Sequence, residues 1–233
     1  MGASRLRLVA AGVVVVLALG YLFWRHVWFY RNPPRIPPVE AGLVSPADGT
    51  VVYVRSVAPG EEVVVIKKGV RALVKDILRA DVDEPKVVIG IFMSPFDVHF
   101  NRAPLDGDVR FVRHYPAQSE NAYMATMHWR TVLGVEPYYS DSMHIVQNAR
   151  TVTCFDSEYR GSPLTAYVVQ IGARTVHGID SYYAPGARVA RGATFGMIRI
   201  GSQVDLIVPH RAALTVAVRP GERVRAGETI LIR

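Results

Sequence analysis

Short apolar runs rich in β-branched residues recur from Val51 to the C-terminus: Val51–Val54, Val63–Ile66, Val87–Phe92, Thr151–Phe155, Ala166–Ile171, Met197–Ile200, Val204–Val208, Leu214–Val218 and Ile230–Ile232. Turn formers separate them, and each is long enough for a strand but too short for a packed helix. That cadence predicts a mainly β (α+β) domain, a β-sandwich or barrel-like body with a few helices, beginning near Ala41. Residues 117–147 break the rhythm with methionines and helix formers, as in Ala117-Gln-Ser-Glu-Asn-Ala-Tyr-Met-Ala-Thr-Met-His-Trp-Arg-Thr-Val-Leu-Gly134. They are expected to form a helical lid, a substrate-specific wall or a plain packed surface helix.

A short repeat runs through the β pattern. Pro185-Gly-Ala-Arg-Val-Ala-Arg-Gly192 and Pro220-Gly-Glu-Arg-Val-Arg-Ala-Gly227 share Pro-Gly-x-Arg-Val-x-x-Gly, and Pro59-Gly-Glu-Glu-Val63 is a partial third copy. Glycines permit positive-φ turns and the valine suits a core position, so these units are expected to be hairpins resembling those of biotinyl and lipoyl-like modules. No lysine motif for either modification accompanies them.

Ahead of the β region, Leu8–Trp24 is an uncharged apolar run bounded by Arg7 and Arg25. As a helix it would span roughly 25 Å, at the short end of a membrane crossing. Tyr21, Trp24, Trp28 and Tyr30 crowd its C-terminal end, where an aromatic belt would sit. A cleaved signal peptide shares the positive start and apolar core, but bulky and basic residues follow where a small-residue cleavage site would stand. The expected organisation is an anchor at 1–28, a stiff proline-rich linker at 29–40 and a folded domain at 41–233.

The formal charge of +7 belongs to that N-terminus. Residues 1–35 hold five arginines and no acid, leaving 22 basic against 20 acidic groups in the rest. A nucleic-acid binder would carry its basic patch on the folded domain, so no nucleic-acid partner is expected and an anionic membrane surface is favoured. Arg25, Arg31 and Arg35 outnumber Arg5 and Arg7, which leans toward a cytoplasmic folded domain at the cell membrane. The single cysteine, Cys154, rules out an internal disulfide. The seven histidines show no compact ligand spacing, so no metal is expected, and no Gly-x-Ser-x-Gly elbow occurs.

Between two late apolar runs stands Gly201-Ser202. A serine hydroxyl after a small, adaptable residue can attack the preceding carbonyl in an N-to-O acyl shift. Elimination of the resulting ester would cap the new chain with an electrophilic pyruvoyl group. Taken alone, the pair reads equally as a turn or bulge. Its surroundings, Phe195-Gly-Met-Ile-Arg-Ile-Gly-Ser-Gln-Val-Asp-Leu-Ile-Val-Pro209, resemble the processing region of the phosphatidylserine decarboxylases, particularly their short form. Four other segments resemble that family in the same order: Phe29-Tyr-Arg-Asn-Pro-Pro-Arg-Ile-Pro-Pro38, Ser45-Pro-Ala-Asp-Gly49, Met93-Ser-Pro-Phe-Asp-Val-His-Phe-Asn-Arg-Ala-Pro104, and Cys154-Phe-Asp-Ser-Glu-Tyr159 leading into Val169-Gln-Ile-Gly-Ala173.

The resemblance implies autocatalytic cleavage into chains 1–201 and 202–233 that remain associated. It also implies a pyruvoyl cofactor made from Ser202 and decarboxylation of a membrane phospholipid, phosphatidylserine, through a Schiff base to give phosphatidylethanolamine. It places Asp48 and His99 beside Ser202 as catalytic groups, His99 as base or substrate contact and Asp48 as its orienter. The family's second histidine falls on Arg102, which becomes a possible substrate-binding group and leaves the processing base open. A homodimer is implied by the resemblance only. Taken alone, Asp48-Gly49 reads as a hairpin turn, and two alternatives remain: a membrane-tethered β-sandwich adaptor that binds a protein partner and never cleaves, and a pyruvoyl enzyme for another amino-acid head group or a soluble amino acid.

Overall fold

The computed structural model describes residues 2–176, 178–199 and 201–233, so His177 and the last residue of the expected Met197–Ile200 strand lie outside the described residues. The chain divides after Pro33 into two compact units. The first is helical: α1 (Ala3–Phe23) runs into a π-helical turn at Trp24–Trp28. The helix thus exceeds the apolar run on both sides, and Arg5–Trp28 is long and apolar enough to cross a membrane, with none of it buried.

The second unit is built from β1 (Leu43–Val44), β2 (Gly49–Val57), the hairpin of β3 (Glu62–Lys67) and β4 (Val70–Leu73), the short α2 (Val74–Ile77), β5 (Lys86–Met93), β6 (Phe100–Arg102) and β7 (Gly107–Tyr115). Helices α3 (Ala125–Leu133) and α4 (His144–Gln147) follow. Then come β8 (Arg150–Tyr159), β9 (Ser162–Gly172), β10 (Ile179–Ser181), β11 (Arg188–Val189), β12 (Thr194–Ile198), β13 (Ser202–Pro209), β14 (Arg223–Val224) and β15 (Ile230–Ile232). Eight of these form one curled antiparallel sheet in the order β11-β7-β8-β9-β13-β5-β2-β14. Strand β13, which begins at Ser202, is therefore central, paired on both sides with β5 and β9.

Alternation sends the two faces of the sheet into separate cores. Val87, Ile89, Ile91, Met93, Val204, Leu206 and Val208 face one cluster, which also takes in Phe195 and Ile198 of β12 and Leu231 and Ile232 of β15. Val88, Phe92, Val169, Ile171 and Ile207 face the other, closed by the β3–β4 hairpin, α2, and Met124 and Met127 at α3.

The repeat seen in the sequence is the visible half of a larger duplication. Arg188 and Val189 of β11 pair with Asp108 and Gly107, as Arg223 and Val224 of β14 pair with Thr50 and Gly49. Gly186 N–H donates to the Val109 carbonyl as Gly221 N–H does to Val51, and Gly192 N–H to Ala103 as Gly227 N–H does to Ser45. The partners share a pattern too, Ser45-Pro-Ala-Asp-Gly-Thr-Val51 and Ala103-Pro-Leu-Asp-Gly-Asp-Val109. Even the bulge that turns Tyr53 onto the second face after Val51 recurs after Val109. One copy guards each edge of the sheet. The copies meet where a Cβ on Gly227 would lie 3.5 Å from Gly192 Cα.

Two expectations are corrected here. Asp48-Gly49 is not a hairpin turn: Gly49 opens β2, lying so close to β5 that a Cβ would stand 2.2 Å from the Phe92 carbonyl oxygen. Leu214–Val218 makes no strand of the sheet. It lies along the C-terminus through Thr215–Arg233 and Ala217–Leu231 backbone hydrogen bonds and a single bridge, Val216 to Ile232, because β15 is short and its core residues pair with β1.

Candidate active site

Gly201 has φ +71°, a left-handed conformation that glycine adopts without the Cβ penalty. Its carbonyl oxygen accepts the Ala173 N–H at 3.1 Å. Ser202 follows as the first residue of β13, fully buried between Met93 and Gly172, and its hydroxyl donates to Met93 Sδ at 3.3 Å. Two buried amides line the same face one contact further out. Asn101 Nδ2 reaches Met93 Sδ at 3.8 Å, and Gln170 Nε2 donates to Asn101 Oδ1 at 2.8 Å.

His99 is fully buried just before β6, and its carbonyl accepts the Ile198 N–H from the strand that leads to Ser202. Its Nδ1 lies 3.0 Å from the Asp97 carbonyl oxygen, which can only accept. Nδ1 therefore carries the proton, and in the neutral ring Nε2 is the basic nitrogen. Asp97 is fixed in turn: its carboxylate accepts the Ser94 N–H and pairs with Arg223.

Asp48, the orienter of His99 that the resemblance implies, has its carboxylate on other groups, and the acceptor at His99 Nδ1 is the Asp97 carbonyl. Asp48 Oδ1 accepts the Ala226 N–H at 2.7 Å and its Oδ2 accepts from Arg35 at 2.8 Å, while Arg35 reaches Glu228 with its other nitrogen at 2.9 Å. The reason lies in the duplication, since Asp106 accepts the Arg191 N–H in the equivalent place. Burial raises the Asp48 pKa above the usual carboxylate value, against the Ala226 hydrogen bond and Arg35, which lower it; the nearby Asp97 adds to the rise. Arg102 is buried in the same cluster. It donates to the Gly192 carbonyl at 2.8 Å, its stem lies against Gly227, and burial lowers its pKa.

The reverse face of β13 carries a network that residue-by-residue reading of the sequence missed. Gln203 Nε2 donates to Tyr53 Oη at 2.7 Å and to Asp205 Oδ1 at 2.8 Å, Tyr53 donates to Asp205 Oδ2 at 2.9 Å, and His144 Nε2 lies 2.9 Å from Gln203 Oε1. All four side chains are fully buried. Because a carbonyl oxygen accepts, His144 Nε2 is the donor. Burial pushes the Asp205 pKa up to about 6 and that of His144 down to about 4. Gln203 and Asp205 put two polar side chains on one face of a strand that is otherwise apolar from Val204 to Val208, and that is the signal in the sequence that could have exposed the network.

Beside Gly201 lies an apolar groove of about 230 Å³, walled by Phe92, Tyr123, Met124, His128 and Ala173. The site therefore has a serine hydroxyl held dry at the head of a central strand, a hydrogen-bonded carbonyl before it, a buried imidazole just ahead of β6 and an apolar approach.

The phosphatidylserine decarboxylase family model matches residues 22–232. A provisionally named archaetidylserine decarboxylase proenzyme of Methanopyrus kandleri is 36% identical over 208 residues, covering 88% of this chain and 80% of that protein. A phosphatidylserine decarboxylase proenzyme of Mycobacterium marinum is 31% identical over 247 residues, covering 96% and 82%. Another, from Symbiobacterium thermophilum, is 34% identical over 211 residues, covering 89% and 78%.

Proposed function

The chain belongs to the phosphatidylserine decarboxylase family, and from that premise we propose that it is a proenzyme that cleaves itself at Gly201-Ser202 and decarboxylates phosphatidylserine to phosphatidylethanolamine. The observation that carries this reading is the junction itself: a left-handed glycine whose carbonyl is held by Ala173 N–H, followed by a fully buried serine.

In the processing step the Ser202 hydroxyl attacks the Gly201 carbonyl carbon, the peptide nitrogen takes up the proton, and an ester replaces the amide. The Ala173 N–H stabilises negative charge developing on the Gly201 oxygen. His99 Nε2 is the base assigned to this step. Loss of the residue 202 Cα proton would then expel the Gly201 carboxylate and leave a dehydroalanine, whose hydrolysis by one water releases ammonia and leaves a pyruvoyl end on residues 202–233. The residues fit that group: the position is small, dry, and walled by a thioether, a glycine and neutral amides, none of which would attack a carbonyl.

A pyruvoyl carbonyl supplies an electron sink for the pair released when carbon dioxide leaves a substrate bearing a primary amine. Burial around Ser202 keeps water from the reacting centre, and the groove beside Gly201 accepts the apolar part of the substrate. Asp48, held by Arg35 and Ala226, fixes the start of β2 near Asp97 and so supports the turn that orients His99. Arg102 is assigned to tying the two repeat units together, since it donates to the Gly192 carbonyl of one and its stem lies against Gly227 of the other. The N-terminal helix serves as membrane anchor, and the products of cleavage stay together because β13 pairs with strands of the larger chain on both sides.

A second substrate reading, the same serine head group on a different lipid, follows from the relatives named for archaetidylserine. Intact mass under denaturing conditions is the decisive measurement. Wild-type protein is expected to give two chains split at Gly201-Ser202, the smaller ending in pyruvoyl, and Ser202→Ala a single inactive chain. An uncleaved wild-type chain that still decarboxylates phosphatidylserine would sink the proposal.

A further inference from the structure

Helix α3 carries two stripes. Met124, Met127, His128 and Thr131 turn inward, with Met127 fully buried in the second core. Ala125, Trp129, Val132 and Leu133, at i, i+4, i+7 and i+8, turn outward, where Trp129 and Val132 are 60% exposed and Leu133 69% exposed. Tyr123 and Val135 extend the exposed stripe past both ends. A globular surface helix places polar residues on that side. One exposed leucine is ordinary, whereas an apolar stripe at helical spacing marks a face that something covers.

Three observations indicate what covers it. The groove that ends at Gly201 runs beneath α3, and a second groove of about 420 Å³, which shares Phe92 and His128 with it, is walled by Trp129 and Val132. The exposed stripe therefore borders an apolar passage to the residue before Ser202. Residues 121–135 contain no acid, and Arg130 among them is held by the Glu136 and Pro137 carbonyls rather than by a carboxylate, so its positive charge is not neutralised. At the centre stands a tryptophan, the side chain that favours the headgroup boundary.

We propose that the outward face of α3 lies in the headgroup–acyl boundary of an anionic bilayer and admits lipid to the groove at Gly201. This rests on the phospholipid-substrate reading above, and it adds a second membrane contact, within the catalytic unit, to the N-terminal helix.

The test uses the full chain carrying Trp24→Phe and Trp28→Phe, which leaves Trp129 as the one tryptophan. The protein is reconstituted in vesicles of phosphatidylcholine and phosphatidylglycerol, neither of which is the substrate. Brominated acyl chains are expected to quench Trp129 about twofold or more, as for a side chain about 5–10 Å into the boundary, and to lose that effect in Leu133→Asp. A fluorophore on Leu133→Cys gives the same reading independently, because native Cys154 is buried. Trp129 open to aqueous acrylamide and untouched by bromine would overturn the proposal. So would Trp129 shielded from both, which would assign the face to a protein partner or a second copy. No turnover enters these readouts: quenching in a protein that fails to decarboxylate phosphatidylserine would refute the substrate reading and leave the docking face standing.

Discussion

Replacing Asp48 and Asp106 separately by asparagine compares a candidate catalytic carboxylate with its own structural duplicate. Each accepts one backbone N–H of the equivalent repeat, from Ala226 and from Arg191, and an amide oxygen can still do so. Asp106 is exposed and has no ion pair among the described residues, so Asp106→Asn should cost about 0.5 kcal/mol or less. Asp48 also receives Arg35, whose side chain is 4% exposed. Breaking one member of a buried pair costs about 3–5 kcal/mol, and the Glu228 contact that survives brings the expectation down to about 2–3. For a unit of this size that lowers Tm by roughly 5–10 °C. The assay is thermal denaturation in detergent beside an intact-mass time course. Asp106→Asn should cleave as wild type, and Asp48→Asn should remain a single chain at temperatures well below its Tm. Normal cleavage in Asp48→Asn would reduce Asp48 to the capping role it shares with its duplicate, and blocked cleavage in both would make that role one of folding alone.

The network behind Ser202 has its own pH signature. Asp205, with its folded pKa raised to about 6, contributes stability that is full below about pH 4 and lost as pH rises through 6; His144, lowered to about 4, contributes stability that is full above about pH 6.5 and lost as pH falls through 4. Between these limits the pair binds about one proton in either state, so its contribution is flat. Asp205→Asn uncovers the histidine alone, and urea titrations should then show stability falling by about 1.4 kcal/mol per pH unit from pH 6.5 toward 4. A pH-independent variant would contradict the assignment. At Gly90, an added Cβ would stand 2.5 Å from Tyr53 Cζ. Gly90→Ala should displace that ring and its hydrogen bonds to Asp205 and Gln203, costing about 3–5 kcal/mol by thermal denaturation, and a loss under about 1 would mean the ring is free to move.

Local signals in the sequence were sufficient for a good part of this protein. The β-branched cadence located most strands, the uncharged run located the first helix, and the Gly201-Ser202 junction stood out because glycine and serine interrupt two apolar runs. Residues 125–133 form the helix expected within 117–147. Strand β7 escaped notice because Asp108, Arg110, Arg113 and His114 interrupt its apolar pattern, while Leu214–Val218 has a strand's composition but meets only a short terminal partner. What the tertiary structure alone decided are the pairings across long separations. Asp48 meets Arg35 and Ala226, Tyr53 meets Asp205, and two Pro-x-Asp-Gly-x-Val segments each bind a distant Pro-Gly repeat. Composition and period reveal whether a residue is buried and on which face of its own strand. Which side chain it faces depends on strand order, register and bulges, and those are fixed only when the whole sheet closes.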